Sequence, residues 1–182
     1  KEDQKVEKSG FYITHRRYFK KFKAKYPEFE GNYKYLSEWD ITDRKNSSFN
    51  MQKLENYQEL YFNNKSVWEV LVADRRIFSG KYCKETQDYK PYYNYSQMLS
   101  VVNVGIECIE KFIDEIKPDV VVGFNTATFG EYLFHQVAST KGIKFFQLRT
   151  TKIENFSTFT EDLVENYGHI RQRYNEIMNV KS

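Results

Sequence analysis

Cysteine, histidine and proline are scarce in this chain. Its 182 residues include two cysteines, three histidines and three prolines. Cys83 and Cys108 match no metal-ligand spacing and no disulfide framework, which suits a reducing compartment. His15, His135 and His169 are scattered, and neither H-x-x-x-H, C-x-x-C nor a nucleophile elbow occurs, so no metal site and no hydrolase elbow is expected. Glycine is sparse too. Gly123 and Gly130 flank a loop without completing G-x-G-x-x-G or a P-loop, which argues against nucleotide-cofactor enzymes of those types, and no cofactor is expected. Apolar runs fall short of the roughly 20 residues of a membrane span, and no signal peptide is visible, so the expectation is a soluble, cytoplasmic protein. A net charge of +3 is small and its cations are dispersed among acids. Nucleic acid is not implied.

What the chain has in quantity is aromatic and amphipathic sequence. Fifteen Tyr and fifteen Phe accompany a general surplus of Lys, Asn and Ile, the pattern of a codon bias, with some rings left to serve as sugar platforms. The length fits one domain with a real core. Because the chain opens on KEDQKVEKSG rather than on Met, the reading is of a fragment of something longer.

The most informative stretch runs from Lys117 to Lys152. Asp119 to Phe124 is a short β-branched run that reads as a buried strand. The polar loop Asn125-Thr126-Ala127-Thr128 follows, then a helix with Phe129, Leu133, Val137 and Ala138 on one face, closed by Lys141 and Gly142. Ile143 to Leu148 returns as a second strand. A strand, helix and strand with short links form a right-handed βαβ crossover, so the two strands should lie parallel, buried in a sheet flanked by helices. The fold class is α/β, with a Rossmann-like parallel sheet. Both loops that leave the strands' carboxyl ends then lie on the edge where open α/β folds bind ligands.

Around this unit the chain reads in order. Residues 1–9 are charged and loose. Gly10 to His15 suits a strand entering the sheet. RRYFKKFKAKYP is a basic amphipathic helix stopped by Pro27, packing its aromatics on the sheet or touching an anionic membrane face, which would put the protein at the inner face of the membrane. Residues 28–50 read as a long connection with Trp39 as its anchor. Helices are expected from Met51 to the Asn63-Asn64 break and, from the capping box Ser66-Val67-Trp68-Glu69, over Val67 to about Ser79. There Asp74 on the buried side calls for an arginine or a backbone partner. Residues 80–94 form a tyrosine-rich surface connection. Ser96 to Ile116 is the best amphipathic helix. Ile153 to Phe159 is a short extended piece, and Leu163, Tyr167, Ile170, Tyr174 and Ile177 form a helical stripe that packs in a core or against another domain.

The chemistry gathers at the carboxyl edge. A helix beginning near Thr128 presents amides, Asn125, Thr126 and Thr128 lie beside it, and the next loop carries Arg149, Thr150 and Lys152, a set that suits a phosphate or carboxylate. The plainer alternative is that Asn125 and Thr128 cap the helix and Arg149 pairs with Glu131. His135 lies inside the helix and reads as packing, whereas His15 ends a strand and is the better general base.

The segment Gly130-Glu131-Tyr132-Leu133, followed by Gly142-Ile143-Lys144-Phe145-Phe146-Gln147-Leu148-Arg149-Thr150-Thr151-Lys152-Ile153-Glu154-Asn155-Phe156, resembles a pattern of bacterial and archaeal capsule or surface-polysaccharide biosynthesis proteins. The pattern covers Lys117 to about Asp162. Here Lys152 stands where arginine is commoner and Glu154 where glycine is commoner. The resemblance implies one half of a GT-B glycosyltransferase, the amino-terminal, acceptor-side one. It implies a glycan or sugar-phosphate acceptor, a sugar nucleotide in the full-length protein and a missing carboxyl-terminal domain. Glu131 or His15 would activate the acceptor hydroxyl, while Arg149 and Lys152 would offset acidic charge. The competing expectation is a non-catalytic Rossmann-like module whose edge holds an anion or a partner.

Overall fold

The computed structural model describes residues 9–29, 33–63, 65–74, 77, 92–124, 128–151, 154–161 and 168–180. Along the first half run β1 (Gly10–Ile13), α1 (Arg16–Lys25), a 3-10 turn (Pro27–Phe29), β2 (Lys34–Ser37), α2 (Glu38–Thr42), α3 (Met51–Phe62) and α4 (Trp68–Ala73). Then come α5 (Tyr95–Ile116), β3 (Val120–Gly123), α6 (Phe129–Thr140), β4 (Lys144–Thr150), β5 (Ser157–Thr160) and α7 (Gly168–Val180). The protein is mixed α/β, with two small sheets ordered β1-β2 and β3-β4-β5 among the described residues.

The core forms around α5. Asn94 and Gln97 cap its start reciprocally, the Gln97 amide donating to Asn94 Oδ1 at 2.9 Å and the Asn94 amide to Gln97 Oε1 at 3.0 Å, so two otherwise orphaned amides are satisfied. The apolar stripe Leu99, Val102, Ile106, Ile109 and Ile113 is buried as its spacing demands, and Val101 and Val104 are buried too. Burial of each such side chain stabilises the fold by about 1.5–3 kcal/mol. Helices α2 and α3 and strand β2 pack on α5, and α6 lies along it.

The βαβ unit has the expected sense. β3 and β4 are parallel, with Val120 opposite Lys144 and Val122 opposite Phe146. Between them α6 buries Phe129, Leu133, Val137 and Ala138, and Gly142 leaves it with the left-handed φ of 72° that its cap requires. His135 packs edge-on against Phe145 at 4.9 Å.

The expected burial of these strands on both faces is corrected. Val121 and Phe145 face the helices, but Val120 is 46 % exposed and Val122 61 %. The reason is the placement of α6, which packs on the side of the sheet that carries Phe145 and leaves the other side without a covering element among the described residues.

Three boundaries also differ from the sequence reading. β4 continues through Arg149 and Thr150 because β5 pairs with it antiparallel, Arg149 opposite Thr158 and Thr150 opposite Ser157. Residues 28–50, read as a connection, contain β2 and α2, and β2 pairs in parallel with β1 as a separate sheet. KYLS has no β-branched residue and EWDIT spans little more than one helical turn, so neither shows a readable pattern. Finally, α4 runs Trp68–Ala73 and Asp74 leaves it in extended backbone; of the rest of the helix expected to Ser79 only Ile77 is described, as helical, and 75, 76, 78 and 79 lie outside the described residues. Most of the 80–94 connection lies outside the described residues.

Candidate functional site

The amino terminus of α6 is reached from three directions. Thr128 caps it, its Oγ1 accepting from the Glu131 amide at 3.2 Å. From α4, Asp74 Oδ2 accepts the Phe129 amide at 3.0 Å, and at 2 % exposure this carboxylate is buried against the helix end. The positive end of the α6 dipole thus holds an anion supplied by the chain itself. From β1, Tyr12 lies so close to Gly130 that a Cβ there would collide with its hydroxyl. The same hydroxyl donates to Glu38 Oε2 at 3.3 Å, and Glu38, the first residue of α2, is buried. The carboxyl end of β1, the start of α2 and the start of α6 therefore meet.

Of the residues expected to carry chemistry, Thr128 and Glu131 come together in the first turn of α6. Asn125, Thr126 and Lys152 lie outside the described residues. Arg149 is not on a loop: it sits half-buried inside β4, on the side of the sheet that carries Phe145 and Gln147, while Thr150 is exposed at the strand end. The turn after β4 is closed by Thr151, whose amide and hydroxyl both donate to the Phe156 carbonyl at 3.0 and 2.9 Å. His15 is exposed, at the junction of β1 and α1, with its ring edge-on to Tyr18 at 5.6 Å.

The structure adds a groove that the sequence reading did not assemble. Arg16, Phe19, Lys20, Lys23 and Trp39 line a concavity of about 380 Å³ between α1 and α2. These helices follow the carboxyl ends of β1 and β2, so the groove occupies the ligand-binding edge of the first strand pair rather than the second. Phe19 packs against Tyr35 of β2 at 5.1 Å and Trp39 at 6.4 Å. The Arg16 guanidinium stands 5.0 Å from the Trp39 ring centre and bonds Asp43 at 3.1 Å. Lys23 lies 5.7 Å from the Phe19 ring. Along α1, six of ten residues are Arg or Lys and none is acidic. An aromatic floor with cationic walls accepts a flat apolar face and an anionic group at once. The signals legible beforehand were the basic run and Trp39, but their juxtaposition needed β2 and α2.

Elsewhere the ionisable side chains form structural networks. Lys53 bonds Glu107 at 2.8 Å, while Tyr57 and Tyr61 both donate to Glu110. Burial, reinforced by the Glu110 carboxylate, pushes the Tyr61 phenol far up. Among the described residues no three His, Cys, Asp or Glu side chains gather as ligands for an ion. Nor is any helix among them long and apolar enough to cross a membrane.

The fold defines the class as mixed α/β with a parallel βαβ unit. Comparison with protein families, curated proteins and solved structures yields no significant match.

Proposed function

We propose that this chain is the acceptor-side portion of a glycosyltransferase-like protein of capsule or surface polysaccharide biosynthesis, and that the α1–α2 groove holds an acidic or phosphorylated sugar. The observation that carries the reading is the pairing of Trp39 and Phe19 with Arg16, Lys20 and Lys23 in one concavity. Sugars stack their apolar faces on rings, and carboxylate or phosphate substituents take charge-assisted hydrogen bonds from Arg and Lys. His15, which immediately precedes Arg16, supplies a base beside the groove. In this reading its imidazole takes the proton of an acceptor hydroxyl as that oxygen bonds the donor sugar and the nucleoside diphosphate leaves. Glu131 is the second candidate base. The donor itself would be held by the rest of the full-length protein.

The second reading, a non-catalytic anion-binding or assembly module, has one observation in its favour. Asp74 and Thr128 already engage the Phe129 and Glu131 amides, which leaves less of the α6 terminus for a reacting phosphate.

Fluorescence titration tests the groove. A uronic-acid oligosaccharide should quench Trp39 and a neutral glucose oligomer should not. Replacing Lys20 and Lys23 together by Ala should weaken binding more than about tenfold, equivalent to one charged hydrogen bond. Equal affinity for both sugars, or indifference to the substitutions, overturns the proposal. Vesicles of anionic lipid, run in parallel, read whether α1 meets a membrane face instead.

A further inference from the structure

Two apolar surfaces of this chain face solvent, and they complement each other. The first is the uncovered side of the β3-β4-β5 sheet. Strand alternation and register put Val120, Val122, Phe146, Leu148 and Phe159 on that one side. Val122 is 61 % exposed and Phe159 55 %, with Phe124, next after β3, at 61 %. Parallel strands are ordinarily covered on both faces, and this one carries a core-like surface without a layer upon it. The second surface is α7. From residue 171 to 179 every side chain of this helix is exposed, although Tyr174, Ile177 and Met178 stand three and four positions apart on one helical face.

We propose that α7 of one copy of the chain covers the open face of β3-β4-β5 in a second copy, and that the exchange is reciprocal. Area decides between one contact and two. Aromatic side chains present roughly 150–250 Å² each when fully exposed, so at these exposures one helix-on-sheet contact removes of the order of 800 Å² from water. A single contact of that size is at the low end for a specific association. Two, related by a two-fold axis, reach about 1,600 Å², the size of a standard stable interface. The two-fold arrangement also closes, because each copy gives one helix and receives one, leaving neither surface to recruit further copies. Within a single chain Tyr174, Ile177 and Met178 remain 46–60 % exposed, as the exchange requires.

Light scattering coupled to size exclusion tests this on the full chain. The wild type should run as a dimer. Val122→Asp and Ile177→Asp alter exposed positions, so both should keep the wild-type helical signal while raising the dimer dissociation constant more than about tenfold. If either variant fails to fold, Phe159→Ser and Tyr174→Ala replace them. A wild type that stays monomeric at every concentration overturns the proposal. So does a dimer that survives both substitutions.

Discussion

Asp74 is where a single side chain shapes the α6 edge. Its carboxylate leaves α4, is buried, and accepts the Phe129 amide at 3.0 Å. Asp74→Ala should orphan that donor and lower stability by about 1–3 kcal/mol, while Asp74→Asn, which keeps an acceptor, should cost less. Urea midpoints of the two variants check the order. Glu154 makes the opposite case. It holds a φ of 43° in the turn between β4 and β5, where the capsule-protein pattern favours glycine. Left-handed backbone strains a residue with a Cβ, so Glu154→Gly should gain up to about 1 kcal/mol, read as a higher melting temperature. Glu107 gives a pH dependence. Burial acts to raise its pKa, but hydrogen bonds from Lys53 and Asn103 outweigh this and leave it lowered. A carboxylate depressed in the folded state contributes stability above its ordinary pKa, and that contribution is lost as pH falls through the lower folded value. Glu107→Gln should therefore flatten the acid limb of a melting-temperature profile below about pH 4.5.

At the scale of elements, β3 separates two environments one residue apart. Val121 packs against the core, whereas Val122 is 61 % exposed on the open face. Val121→Asp should destabilise the protomer by about 1–3 kcal/mol, the cost of placing a carboxylate against apolar neighbours. Val122→Asp should stay within about 0.5 kcal/mol when measured at a dilution that disperses the chain. Comparable losses in the two variants would show that both faces are covered in the protomer. Long elements were legible because their periods repeat: α5 and the βαβ unit stand where hydrophobic spacing, the Thr128 cap and Gly142 put them. β2 and α2 were not, since KYLS lacks the β-branched run that marked β3 and EWDIT spans little more than one helical turn. The shortened α4 was hidden as well. Its apolar pattern runs on past Asp74, whereas the extended backbone there comes with the capture of the Phe129 amide by the Asp74 carboxylate.

For the molecule as a whole, the glycosyltransferase proposal makes a negative prediction. GT-B chemistry is assembled in a cleft between two halves, so this chain alone should show no sustained release of nucleoside diphosphate from a sugar donor. Release scaling with protein concentration overturns that. Groove binding should weaken with salt, because its cations are exposed and screened within about 10 Å at 0.1 M ionic strength. The sequence by itself determined the α/β class, the parallel sense of β3 and β4 and the long amphipathic helix α5, all of which follow from local periodicity and the handedness of short crossovers. Only the tertiary structure decided which residues share a site. Arg16 and Trp39 lie 23 positions apart and meet because β1 and β2 pair in parallel and deliver both following helices to one edge. Equally, Val122 and Phe159 became surface rather than core because α6 packs on the opposite side of the sheet, a choice of face that strand alternation permits but cannot make.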